Sequence, residues 1–94
     1  MCNYVMLVKE LWPGKKLVHR PMKFRTEGEP QPVLERFLKG YEQEHGEVQV
    51  RNESTVVNNY YITMQYKDGM TVEVLGLDSV SRLEYAEYFC EEMA

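Results

Sequence analysis

Cysteine is scarce: Cys2 and Cys90 are the only two, too few for a disulfide framework. The apolar start MCNYVML has neither a basic leader nor a small-residue cleavage site, so the chain reads as cytoplasmic with both thiols reduced. No window reaches the roughly 18 consecutive apolar residues that a membrane-spanning helix needs. Catalytic signatures are missing too. There is no P-loop, no G-x-G-x-x-G, no H-E-x-x-H and no serine elbow. Ninety-four residues make one domain, with room for a core but not for a deep catalytic cavity as well. The expectation is a non-enzymatic chain with no catalytic residue, no cofactor and no metal.

The residues that could argue otherwise have plainer readings. Cys2 would become an N-terminal nucleophile if Met1 were removed, yet nothing around Asn3-Tyr4-Val5 supplies an oxyanion hole. Cys2, His19, His45 and Cys90 are enough soft ligands for zinc, but none is paired at a short ligand spacing. His45 reads as a helix-end histidine complementing the dipole, and Cys90 as packing.

What is present is a strong hairpin. In YYITMQYKDGMTVEV, residues 60–74, Asp68-Gly69 separates two alternating runs. A two-residue loop would set Tyr66 against Thr71 and Met64 against Glu73. A three-residue loop, Lys67-Asp68-Gly69, pairs Tyr66 with Met70, Met64 with Val72 and Ile62 with Val74. Every partner is then apolar, and Gly69 takes the left-handed position of a bulged turn. The predicted core face is Tyr60, Ile62, Met64, Tyr66, Met70, Val72 and Val74. The opposite face, Asn59, Tyr61, Thr63, Gln65, Thr71 and Glu73, is polar enough to meet water.

Before it, residues 4–11 read as a strand buried on both faces. Trp12-Pro13-Gly14-Lys15 is a turn, and residues 17–25 run back as an edge strand because Pro21 cannot donate to a ladder. After the polar linker TEGEPQ, Pro32 opens a helix. Its stripe is Leu34, Phe37, Leu38, Tyr41 and His45, and Gly46 is its C-terminal cap. Glu35 and Lys39 form an i, i+4 pair, and Gly40 suggests a close approach to the sheet. Val48 and Val50 start a short strand, whose turn falls at residues 51–54 or at Asn58-Asn59. Gly76 should end the last strand and Asp78 or Ser79 cap a final helix, with Leu83, Ala86, Phe89, Cys90 and Met93 inward.

The predicted class is α+β: a mainly antiparallel sheet in β-β-α-β-β-β-α order with two helices packed on one face. It divides into a basic N-terminal hairpin, residues 1–26, and an α-β-β-β-α core, residues 30–94. That core order resembles the double-stranded-RNA-binding domain in topology. In that family the last helix opens with a run of lysines that grips phosphates. The corresponding stretch here, Ser79-Val80-Ser81-Arg82-Leu83-Glu84, has one base and one acid, so the resemblance implies a fold and not that activity.

The net charge of −4 is unevenly spread. Residues 1–26 hold six basic groups (Lys9, Lys15, Lys16, Arg20, Lys23, Arg25) and one acid, Glu10; the rest hold five basic and fourteen acidic groups. Two partner surfaces follow. The first is an acidic and aromatic face, Glu84, Tyr85, Glu87, Tyr88 and Glu91 with Tyr61, suited to the basic surface of a protein target, as an inhibitor or adaptor would mask it. The alternative is polyanion binding by Lys15, Lys16, Arg20, Lys23, Arg25 and Trp12 over residues 12–25, opposed by the negative remainder of the chain. No membrane partner is expected, and an unpaired strand edge offers a route to a homodimer.

Overall fold

A computed structural model describes residues 1–56 and 59–93. The elements run β1 (Cys2–Leu11), β2 (Leu17–Thr26), α1 (Gln31–His45), β3 (Val48–Val56), β4 (Asn59–Tyr66), β5 (Thr71–Val80), α2 (Arg82–Glu87) and β6 (Glu91–Glu92). One six-stranded sheet has the order β3-β4-β5-β1-β2-β6. All its pairings are antiparallel except the two-residue contact of β6 with β2.

The β4–β5 hairpin adopts the three-residue loop. Ile62 pairs with Val74 and Met64 with Val72; Tyr66 N–H donates to Met70 O at 2.8 Å, and Gly69 has φ 97°. Ile62, Met70, Val72 and Val74 are fully buried, whereas Gln65 is exposed. Burial of one alternating face sets this register, because a slip by one residue would put the whole apolar set in water. The same face of β1 and β2 contributes Met6, Val8, Met22 and Phe24, and α1 covers it with Leu34, Leu38 and Tyr41. Tyr66 Oη donates to Leu38 O at 2.9 Å, tying strand to helix through the core.

Several boundaries differ from the sequence reading. β3 runs unbroken to Val56, so residues 51–54 are strand rather than turn; of the alternative Asn58-Asn59, Asn58 lies outside the described residues and Asn59 opens β4. Gly76 does not end β5. It has φ 60° and lies where the β1–β5 register steps from Leu7↔Leu75 to Val5↔Asp78, so it accommodates a bulge. Gly40 makes no close approach, since a Cβ there would meet no atom within 4 Å. Glu35 bonds Arg51 across the fold rather than relying on Lys39.

The largest correction concerns the final helix. It is capped by Ser81, whose Oγ accepts from Glu84 N–H at 3.1 Å, not by Asp78 or Ser79, which remain in β5. It ends at Glu87 and packs opposite α1, not beside it. Lys23 and Arg25 alternate with Met22 and Phe24 on β2, so they project from the other face. There they stand 4.5 and 4.6 Å from the Tyr85 ring centroid. Tyr85 is the residue α2 buries, at 1% exposure. Leu83, Ala86 and Phe89 point outward instead of forming the core stripe. Two glutamates at the negative end of a longer helix would be unfavourable. In β6 they are satisfied: Glu91 reaches Arg20 on the α1 side, and Glu92 accepts from Tyr85 Oη on the other.

Among the described residues, no helix is long and apolar enough to cross a membrane.

Candidate docking surface and the buried charge cluster

The chain after β5 crosses β1 and β2 on the face away from α1, and two hollows lie along it. One is a cleft of about 390 Å³ whose walls include Val5, Leu7, Pro21, Leu75, Tyr88 and Cys90. Tyr88 and Cys90 come from the connection between α2 and β6 and the rest from the strands, and the walls are almost wholly apolar. The second, about 320 Å³, is bounded by Glu84, Glu87, Tyr88 and Phe89. Tyr88 lines both. Phe89, in the wall of the second, is fully exposed, and Leu83 on α2 is 77% exposed. A phenylalanine ring placed in water forgoes about 2 kcal/mol of burial. A patch of this kind with an acidic rim has the make-up of a protein-contact surface.

The acidic and aromatic face expected from sequence is thus divided. Glu84, Glu87 and Tyr88 lie exposed together around the second hollow. Tyr85 is buried against Lys23 and Arg25, and Glu91 is turned to the far side of the sheet to meet Arg20. Tyr61 lies on the polar face of β4, its hydroxyl 3.3 Å from Glu73. Leu83 and Phe89, assigned by periodicity to the core, are the exposed apolar residues sequence reasoning missed. The signal was Ser81-x-x-Glu84, a capping box that starts the helix two or three residues later than the expected cap and rotates its inward face to Tyr85.

The basic set is distributed differently. Arg20 donates to both oxygens of Glu91, at 3.0 and 2.8 Å, and to Glu10 at 2.7 Å. Lys23 Nζ donates to Tyr85 O at 2.8 Å and Tyr88 O at 3.2 Å. Arg25 covers Tyr85, and Trp12 Nε1 donates to Glu10 at 3.0 Å. Lys15 and Lys16 lie exposed at the β1–β2 turn. The acidic C-terminal segment has therefore closed over much of the basic strand.

Under α1 lies a buried polar cluster. Glu10 is 4% exposed and accepts from Trp12, Arg20 and the Tyr41 hydroxyl. Burial pushes its carboxyl up, but bonds from Tyr41, Arg20 and Trp12 outweigh this and hold it below the usual range. Burial, then the bond to Glu10, raises the Tyr41 phenol. A carboxylate so held is ionised at neutrality, the opposite of the raised value a general acid needs. The cluster joins β1, β2, α1 and β6 and neutralises a charge that could not otherwise be buried. At its edge, buried His45 has Nδ1 2.6 Å from Asp68 Oδ2 and its ring edge-on to Trp12.

Glu10 was legible by parity, since it alternates in phase with Met6 and Val8. Of the four soft ligands, Cys2 and His19 are exposed, Cys90 is half-buried and His45 is buried. No group of three or more His, Cys, Asp or Glu side chains among the described residues is arranged to hold a metal ion.

No protein-family model, no curated protein and no solved structure matches this chain.

Proposed function

We propose that this chain is a small non-enzymatic module that binds a partner protein through the surface built by α2 and the turn into β6. The observation that carries the reading is the fully exposed Phe89, which bounds one hollow with Glu84, Glu87 and Tyr88, while Tyr88 also lines the apolar cleft and Leu83 on the same short helix is exposed. The partner is a protein offering an apolar side chain to the cleft, a pocket for Phe89, and basic groups around both. Binding of this kind masks a charged and apolar patch of the target, which is how a small inhibitor or adaptor acts without chemistry of its own. Phe89 is the expected hot spot, as a large ring free in the unbound chain and enclosed in the complex.

The reading through Lys15, Lys16, Arg20, Lys23, Arg25 and Trp12 is the competing one. Four of those six are engaged inside the molecule, which leaves few cations to displace counterions from a phosphate backbone.

A photo-crosslinking side chain at position 89 should capture a defined protein from the source cell, and the same group at position 65 on the polar sheet face should not. Against the purified partner, Phe89→Ala should weaken binding by 2 kcal/mol or more, about thirtyfold. An unchanged affinity for Phe89→Ala and Leu83→Ala together sinks the proposal. Steeply salt-dependent binding to nucleic acid, lost with Lys15 and Lys16, would move the function to the basic turn.

A further inference from the structure

The two ends of the sheet are finished differently. On the β2 side, β6 and the Met93 N–H bond to Lys23 O cap part of the edge. On the other side β3 extends over Val48–Val56, and no strand pairs with its outer edge among the described residues. A long open edge is a template for a further strand. This one is complementary to itself.

When two β3 strands run antiparallel about Asn52, Arg51 falls opposite the partner's Glu53, and Glu53 opposite the partner's Arg51. Val50 meets the partner's Ser54, and the two Asn52 residues face each other. Directly opposed residues share a face of the sheet and interact, opposite charges favourably and like charges unfavourably. The neighbouring symmetric registers fail on that ground. Centring on Arg51 sets arginine against arginine, and centring on Glu53 sets glutamate against glutamate. Centring on Asn52 makes both charged pairs attractive.

The side chains concerned are in place. Arg51, Asn52, Glu53 and Ser54 are exposed. Arg51 and Glu53 share the α1 side of the strand, 3.4 Å apart. Glu35 on α1 holds the Arg51 guanidinium from behind, and the Tyr60 hydroxyl donates to Glu53. Both charged groups are thus oriented before any second strand arrives, which lowers the cost of ordering them on association.

We propose that the chain forms a symmetric homodimer by antiparallel pairing of β3 with β3 of a second copy about Asn52, joining the two sheets into one. The contact is isologous, so it closes at two copies. It lies at the opposite end of the sheet from β6, so each copy keeps its α2 surface free and the dimer would present two.

The test is charge reversal read by sedimentation velocity over a concentration series. The wild-type chain should pass from the mass of one copy to that of two as concentration rises, with amide protection gained along β3. Arg51→Glu or Glu53→Arg alone sets like charges opposite each other and should weaken dimerisation about tenfold or more. An equimolar mixture of the two variants sets opposite charges face to face again and should form a heterodimer that neither forms with itself. Recovery in the mixture excludes misfolding, since an unfolded variant is not rescued by another. A wild-type chain that stays monomeric at millimolar concentration overturns the proposal. So does a dimer indifferent to both reversals, or a mixture that does not recover.

Discussion

At the residue scale, two positions show how local chemistry is decided by surroundings. Gly40 sits in the middle of α1, where glycine costs about 1 kcal/mol relative to alanine through backbone entropy. Nothing lies within 4 Å of the position a Cβ would take, and the backbone there has no positive φ. Gly40→Ala should therefore stabilise the fold by about 0.5–1 kcal/mol, read as a higher urea midpoint at unchanged slope. Gly46 looks similar in sequence and is not. Its φ is 90°, and a Cβ there would come within 2.9 Å of Lys67 Cβ. It ends the helix and admits the hairpin turn against it, with Lys67 N–H donating to Glu47 O.

At the element scale, α2 and β6 depend on contacts rather than propensity. Six residues are too few for a helix to persist alone in water. Ser81 supplies one capping bond, and Tyr85, held between Lys23 and Arg25, supplies the anchor. Ser81→Ala should cost about 1 kcal/mol. The loss should appear as faster amide exchange at Tyr85 and Tyr88, with β4 and β5 unaffected, because the helix is a terminal unit whose opening need not unfold the sheet. A uniform loss of protection across the sheet would show instead that α2 is part of the cooperative core.

For the whole molecule, the charge network sets the pH range of stability. Glu10, Glu35, Glu91 and Asp68 all have carboxyls held below their ordinary values. For Glu35 and Glu91 the first cause is the arginine bonded to them, and for Asp68 it is His45. A lowered folded pKa gives stabilisation that is present above the unfolded value, 4.5 for glutamate, and lost as pH falls through the folded one. On the alkaline side burial raises Tyr41, Tyr60, Tyr66 and Tyr85, with Tyr66 and Tyr85 pushed up to about 12. Raised groups stabilise below the unfolded value of 10.0, and that contribution is lost as pH rises beyond it. The melting temperature should therefore form a plateau between about pH 5 and pH 10 and fall on both sides. Glu10→Gln should shallow the acid limb, since glutamine has no proton to gain.

The central hairpin, its register, the Trp12–Lys15 turn and the α1 stripe were all settled by sequence. Each depends on neighbours in the chain, through alternation, helical spacing or the φ a glycine or proline permits. What tertiary structure alone decided is where the ends of the chain go. α2 took the second face of the sheet because Lys23 and Arg25 met Tyr85 there, and β6 formed because Arg20 and the Tyr85 hydroxyl were waiting for Glu91 and Glu92. Except for the bond from Tyr85 to Glu92, which spans seven residues, the partners in those contacts are some sixty to seventy residues apart, so no local pattern encodes them. Leu83 and Phe89 are the mixed case: helical periodicity assigned them to a core, the Ser81 cap set where the helix starts, and the packing of Tyr85 against Lys23 and Arg25 turned them out to water.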